Sequence, residues 1–210
     1  MNPIIRKIFL AVGLYDLVVD FEHWRTREDS IYVSFYSQFV NKGDLCFDVG
    51  ANVGKRTRAL LKLGARVVAV EPQAHCTQVL RRKYGTNARV TLVAKAVGAE
   101  EGTAEMMVCD AHALSSLSKP WIDSVKASGR HADSKWQRTV SVPMTTLEKL
   151  IGEYGKPAFI KIDVEGYEHD VLKGLSQPVH VLSFELTPEF IDSAIWCVNR
   201  LAEIGKVKFN

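Results

Sequence analysis

The sequence predicts an α/β fold, a doubly wound and mostly parallel sheet with helices on both faces. The first observation is Leu45-Cys46-Phe47-Asp48-Val49-Gly50-Ala51-Asn52-Val53-Gly54, an apolar strand that breaks into a glycine turn and opens a helix. The second is Arg66-Val67-Val68-Ala69-Val70-Glu71, another apolar strand, which ends in a carboxylate before Pro72. The third is the alternation of strand-like and helix-like segments along the rest of the chain, without an internal repeat. A length of 210 residues suits one domain, and 47% hydrophobic with 24% charged residues is a globular composition. The net charge of +3 is too small to require nucleic acid, and no such partner is expected.

Ile4 to Phe21 is apolar but punctuated by Arg6, Lys7, Asp16 and Asp20, so it reads as neither a membrane span nor a signal peptide. Its apolar residues recur at helical spacing, which predicts a helix packed on the domain and no stable membrane insertion. A polar break at Arg25 to Ser30 precedes a second helix over Ile31 to Val40. Residues 1–41 thus form an N-terminal helical segment and 42–210 the main domain. After strand one, Leu45 to Val49, Asn52 reads as the cap of a helix that begins near Val53 and ends at Gly64. Strand two leads to a helix over Ala74 to Tyr84, with Arg81, Arg82 and Lys83 on its solvated face. Val90 to Val97 reads as strand three and Thr103 to Val108 as an antiparallel addition.

Cys109 to Lys135 has weak periodicity and reads as a mobile loop carrying one short helix, of the kind that covers a ligand. Thr139 to Val142 is strand-like, and Thr145 or Thr146 caps a helix that runs to Tyr154. Ala158 to Asp163 is strand four, Tyr167 to Leu172 a helix, and Val179 to Glu185 strand five. Pro188 to Ile204 is the last long helix, and Lys206 to Phe209 begins a further element.

A ligand of such a sheet lies outside the carboxyl ends of the strands, where the strand order reverses. Gly50 would let it approach the backbone, and Gly54 would allow close packing. Amides at the helix start could meet an anion, and Glu71 could accept from both hydroxyls of a ribose. A dinucleotide loop needs Gly-x-Gly-x-x-Gly, whereas here Asn52 takes the place of the middle glycine and Asp48 precedes the turn. A carboxylate there suits an ammonium and a sulfonium better than two phosphates. At 4 Å, opposite charges gain about 1 kcal/mol in water and about 4 kcal/mol near a protein surface.

These segments, together with Ala96-Val97-Gly98, Ser115-Ser116-Leu117, Thr146-Leu147-Glu148 and Ile160-Lys161-Ile162-Asp163-Val164-Glu165-Gly166-Tyr167-Glu168, resemble the FkbM-type methyltransferases among the class I S-adenosylmethionine-dependent enzymes. The resemblance runs from Lys42 to Leu186. It implies S-adenosylmethionine as cofactor and O-methylation of a small-molecule hydroxyl on a sugar, glycolipid, polyketide or similar metabolite. It also implies that the donor's amino-acid end lies near Asp48, Gly50, Ala51, Asn52 and Gly54, its ribose on Glu71, and its adenine beside Pro72, Ala96 and Val97. Lys55 and Arg56 depart from the family pattern. Cations at a helix start oppose its dipole, so they are expected to point to solvent rather than to serve an anion. Lys95 stands where many class I enzymes place an acid, which leaves adenine to the backbone. Such enzymes usually close with an antiparallel strand pair. Only Lys206 to Phe209 follows the last helix, so that pair is expected to be incomplete and the strand-five edge open to a second copy.

Methyl transfer is an in-line displacement, and an alcohol acceptor gains from a nearby base. Asp163 would touch the donor ammonium or the acceptor hydroxyl, with Glu165 as base. The bland alternative has Glu165 capping a helix near Gly166 and Asp163 bonding turn amides. Glu185 could join Asp163 around a cation, but two carboxylates without a third ligand predict no metal. His112, in the long loop, is a better candidate base than His169, and Trp121 and Trp136 either wall the pocket or pack the loop. Cys46, Cys76, Cys109 and Cys197 have no paired spacing, which suits a reduced cytoplasmic protein. Two rival readings are an NAD(P)-dependent oxidoreductase and a non-catalytic nucleoside-binding module. A base N-methyltransferase is disfavoured, because Val164-Glu165-Gly166 follows strand four where those enzymes often carry two prolines.

Overall fold

The computed structural model describes residues 28–209, so the helix expected over Ile4 to Phe21 lies outside the described residues. The strands are β1 (Leu45–Val49), β2 (Arg66–Val70), β3 (Val90–Val93), β4 (Ala96–Val97), β5 (Gly102–Cys109), β6 (Trp136–Thr145), β7 (Phe159–Ile162) and β8 (Val181–Phe184). The helices are α1 (Glu28–Tyr36), α2 (Lys55–Lys62), α3 (Ala74–Tyr84), α4 (Lys119–Ala127), α5 (Leu147–Tyr154), α6 (Glu168–Lys173) and α7 (Ile191–Ile204).

Five strands form a parallel sheet in the order β3-β2-β1-β7-β8. Because successive side chains of a strand point to opposite faces, β1 feeds two cores. Phe47 and Val49 pack with Ile160 and Ile162 under α5, α6 and α7, which contribute Leu150, Leu172 and Cys197. Cys46 packs on the other face with Ala59, Leu60 and Leu80 from α2 and α3 and Tyr36 from α1. The Tyr36 ring meets Phe159 edge-on at 5.2 Å between centroids. The buried Asp29 carboxylate also ties α1 to α2, at 2.7 Å from Arg58 and 2.6 Å from Lys62. Burial alone would raise its pKa, but the two cations hold it below the ordinary value.

The sheet departs from expectation at its third strand, which ends at Val93. Ala96–Val97 instead pairs with β6 in a second sheet of order β4-β6-β5. The antiparallel β5–β6 ribbon is longer than its sequence suggests, and it has its own core of Ala96, Met106, Val142 and Met144. The segment after β5 is also more ordered in its secondary structure than expected. It holds a 3₁₀ turn at His112–Leu114 and then the nine-residue α4, whose Trp121, Ile122 and Val125 are buried. Ser118 caps α4 by accepting from the Trp121 amide, and Pro120 stands in its first turn. At the other end a 3₁₀ turn at Pro188–Phe190 precedes α7, and residues 206–209 form no strand. Among the described residues nothing pairs with the outer edge of β8, and Leu186, Ile191 and Ile195 nearby are exposed. No described helix is long and apolar enough to cross a membrane.

Candidate active site

The strand order reverses at β1, and a cleft of about 410 Å³ opens there at the carboxyl ends of the strands. Gly50, Ala51, Asn52, Glu71 and Pro72 line it from β1 and β2. Ala96, Val97 and His112 close it from the second sheet and the segment after β5, and Asp163 and Glu165 from the end of β7. Gly54 and Asp48 are absent from the wall.

The glycine turn is shaped mainly by its own neighbours. The amides of Gly50 and Ala51 donate to the Val70 carbonyl, both at 3.0 Å. Gly50 has a φ of 74°, and a Cβ there would stand 1.9 Å from the Asp163 carbonyl oxygen. This glycine is therefore required by the close approach of the turn after β7, where the sequence reading assigned it to a ligand. Gly54, φ 86°, admits the Tyr84 ring and Leu80 of α3, whose atoms would lie 2.7 and 2.9 Å from a Cβ. Asn52 is not a helix cap. It sits at φ 50°, α2 begins three residues later, and its amide donates to Glu71 Oε2 at 2.8 Å. From α3, Lys83 Nζ donates to the Val53 carbonyl at 2.9 Å and the Tyr84 hydroxyl to the Gly54 carbonyl at 3.1 Å, fastening the loop.

Glu71 is 3% exposed, and its second oxygen accepts from the Gln73 amide at 2.9 Å. Burial pushes its carboxyl up, while the amides of Gln73 and Asn52 favour the ionised form. Each carboxylate oxygen has two lone pairs, so Glu71 can still accept hydroxyl donors from the cleft.

Asp48 is wholly buried, because the pleat that sends Phe47 and Val49 to one core sends Asp48 toward α2. The Thr57 hydroxyl donates to its Oδ2 at 2.6 Å, and Lys161 Nζ stands 3.3 Å from its Oδ1. Asp48, expected to meet a ligand directly, therefore does not line the cleft and reaches its lining only through Lys161. That lysine also donates to the Gly50 carbonyl at 2.9 Å and lies 3.3 Å from Asp163. Burial would lower its pKa, but Asp48 and Asp163 more than offset this and keep it a cation. Sequence reasoning overlooked Lys161, although a signal was present. It interrupts the apolar run of β7, lies two residues before Asp163 and so on its face, and stands in register with Asp48.

Beyond β7 the chain turns through Glu165, at φ 55°, whose carbonyl accepts the Ser116 hydroxyl at 2.6 Å. The Val164 amide is taken by Glu168 at 3.0 Å, and the residue capping α6 is Tyr167, so the capping alternative for Glu165 does not describe this turn. Oxygens of Asp163, Glu165 and Glu185 all lie within 4.8 Å of one another. The third carboxylate missing from the sequence reading of a cation site is therefore Glu165. Desolvation, then Glu185 and Asp163, push the Glu165 carboxyl up to about 9. Desolvation also raises Glu168 to about 7.

His112 stands at the Glu71 side of the cleft. Its carbonyl accepts from the Gln73 side chain at 2.9 Å, and its Nδ1 is 3.9 Å from Cys76 Sγ. His169 instead meets the Trp196 ring at a tilt, 3.8 Å between centroids, and is not part of the cleft wall. Both tryptophans pack the segment: Trp121 donates to the Thr187 hydroxyl at 3.1 Å and Trp136 to the Leu114 carbonyl at 2.8 Å. Lys55 and Arg56 overturn the solvent expectation, since both are half-buried and line the cleft. The Arg56 guanidinium lies 3.7 Å from the centroid of the Tyr32 ring.

A glycine turn at the switch point of a parallel sheet, with carboxylates ending the strands on both sides of it, is a Rossmann-like α/β arrangement with its ligand cleft at the strand ends. The chain belongs to the FkbM methyltransferase family, whose profile, the Methyltransferase FkbM domain, matches residues 48–196. It is 24% identical over 188 residues to the hexuronic acid methyltransferase AglP of Haloferax volcanii, spanning 87% of this chain and 72% of that one. Among solved structures, the precorrin-6y C5,15-methyltransferase of Geobacter metallireducens GS-15 superposes with a TM-score of 0.46 and 12% identity, over 84% of this chain and 70% of the other.

Proposed function

We propose that this protein transfers a methyl group from S-adenosylmethionine to a hydroxyl of a sugar. The observation that carries this reading is Glu71, which backbone amides hold on the wall of the cleft with lone pairs to spare for a ribose. The glycine turn beside it offers room for the donor's amino-acid end, and Ala96 and Val97 offer an apolar wall for adenine. Family membership supports methyl transfer, and the hexuronic acid named for the Haloferax relative supports a sugar acceptor. S-adenosylmethionine supplies, when bound, a methyl group on a positively charged sulfur.

The chain's own residues then have three tasks. Lys161 joins the glycine turn to Asp163, so donor and acceptor ends of the cleft are positioned by one buried cation. Asp163 orients the acceptor hydroxyl, and alignment of this kind can contribute much of the rate of an in-line displacement. Glu165 takes the hydroxyl proton once ionised, and a cationic donor nearby favours that ionised form.

Incubating the purified protein with donor and a panel of sugars, uronic acids and glycolipids, followed by mass spectrometry, tests this. A gain of one methyl on a sugar is the expected product. Stable binding of S-adenosylhomocysteine with no transfer to any sugar would favour the binding-module reading, and protection by NAD alone the oxidoreductase.

A further inference from the structure

We propose that Arg56, held over the Tyr32 ring, reads an anionic group on the acceptor; this rests on the methyltransferase reading of the same cleft. The position fits the acceptor side. In the sheet, β1 separates β2 from β7, so the ends bearing Glu71 and Asp163 lie two strand spacings apart, about 9–10 Å. Arg56 belongs to the Asp163 end, where it shares its surroundings with Tyr32, Tyr36 and Asp163. Glu71, held by the Asn52 and Gln73 amides, lies at the other, donor end.

Charge points the same way. The described residues lining the cleft include five cations, Lys55, Arg56, Lys83, Lys95 and Lys161, against the three acids Glu71, Asp163 and Glu165. The donor carries a net positive charge and only one carboxylate, so this excess is more than the donor needs. An anion on the second ligand can use it. Lys161 and Lys83 are committed to carboxylates and to the Val53 carbonyl, whereas Arg56 stands on the cleft wall at the start of α2 against Tyr32. The first turn of α2 has no acidic residue, so its dipole adds to the attraction for an anion there rather than to the comfort of Lys55 and Arg56.

The geometry of the guanidinium completes the case. The Tyr32 ring holds the ion at the cleft wall, with the guanidinium carbon 3.7 Å from the ring centroid. A guanidinium carries five N–H donors, so beyond its contact with Tyr32 it keeps donors that can grip a carboxylate or phosphate with two parallel hydrogen bonds.

Calorimetric titration of the protein, saturated with S-adenosylhomocysteine, with methyl β-D-glucuronide, methyl β-D-glucoside and glucose 6-phosphate tests the proposal. The glucuronide is expected to bind about tenfold to a hundredfold tighter than the glucoside. Arg56→Gln should erase that preference while S-adenosylhomocysteine binding holds, and Arg56→Lys should restore part of it. A preference for the sugar phosphate with the same Arg56 dependence also supports the subsite and names phosphate as the anion. Equal binding of charged and neutral sugars, no binding of either anionic probe, or a preference that survives in Arg56→Gln would overturn it. Failure of the wild-type protein to bind S-adenosylhomocysteine counts against the donor reading alone, since the anion titrations can be read without it.

Discussion

Glu71 and Glu165 lie at the carboxyl ends of strands in the same sheet, and burial pushes both carboxyls upward. What acts alongside burial differs. Two backbone amides meet Glu71, whereas Glu165 faces Glu185 and Asp163. One end of the cleft is built to hold a carboxylate in a fixed, ionised-favouring frame, and the other to crowd carboxylates until one keeps its proton. Residue type alone is therefore a poor guide to chemistry: the same side chain is proposed to hold a ribose at one end and to take a proton at the other, on the strength of its neighbours.

Lys161 links the two ends, and removing it should have the largest effect. Lys161→Met leaves the fully buried Asp48 with Thr57 but without its cation, and stability should fall by about 3–5 kcal/mol in chemical denaturation. A loss below about 1 kcal/mol, the scale of an exposed pair, would show that the lysine does not join the ends. Glu71→Gln preserves shape but weakens a charge-assisted acceptor for two hydroxyls. S-adenosylhomocysteine should bind about a hundredfold more weakly, with little change in any acceptor affinity.

Glu165→Gln sharpens the contrast through pH. The carboxyl rises from 4.5 to about 9 on folding, so the folded chain binds more protons than the unfolded one between those values, and stability falls as pH rises through that window. Glutamine mimics the protonated form. The variant should therefore match the wild type near pH 4.5 and gain melting temperature over it progressively toward pH 9, while losing the alkaline rise in kcat. His112→Ala should do least, changing kcat by less than the hundredfold or more usual for loss of a general base, because the imidazole stands with Cys76 and the His75 ring rather than with the carboxylates. A collapse of kcat in that variant alone would move the base to the loop.

The central sheet was legible in the sequence because parallel strands covered on both faces read as unbroken apolar runs. Leu45–Val49 matches the expected bounds, and Phe159–Ile162 and Val181–Phe184 fall inside theirs. The second sheet was not, since Ala96–Val97 is only two residues long and its partner Met144 lies far along the chain. The α4 helix was half legible: Ser118 and Pro120 mark its start, but the Ser- and Asp-rich surroundings masked the Trp121, Ile122 and Val125 stripe. At the site, sequence order located the strand ends but not the direction of side chains. Pleating turned Asp48 beneath α2, a carbonyl of the β7 turn explained Gly50, and the cleft claimed Lys55 and Arg56.

The most direct test of the cleft as a donor site is calorimetric titration of the wild-type chain and Glu71→Gln with S-adenosylhomocysteine and, separately, with NAD. Saturable binding of S-adenosylhomocysteine to the wild type, weakened in the variant, with no heat from NAD, is the expected result. Binding of NAD with no response to S-adenosylhomocysteine, or S-adenosylhomocysteine binding indifferent to Glu71, would contradict the account.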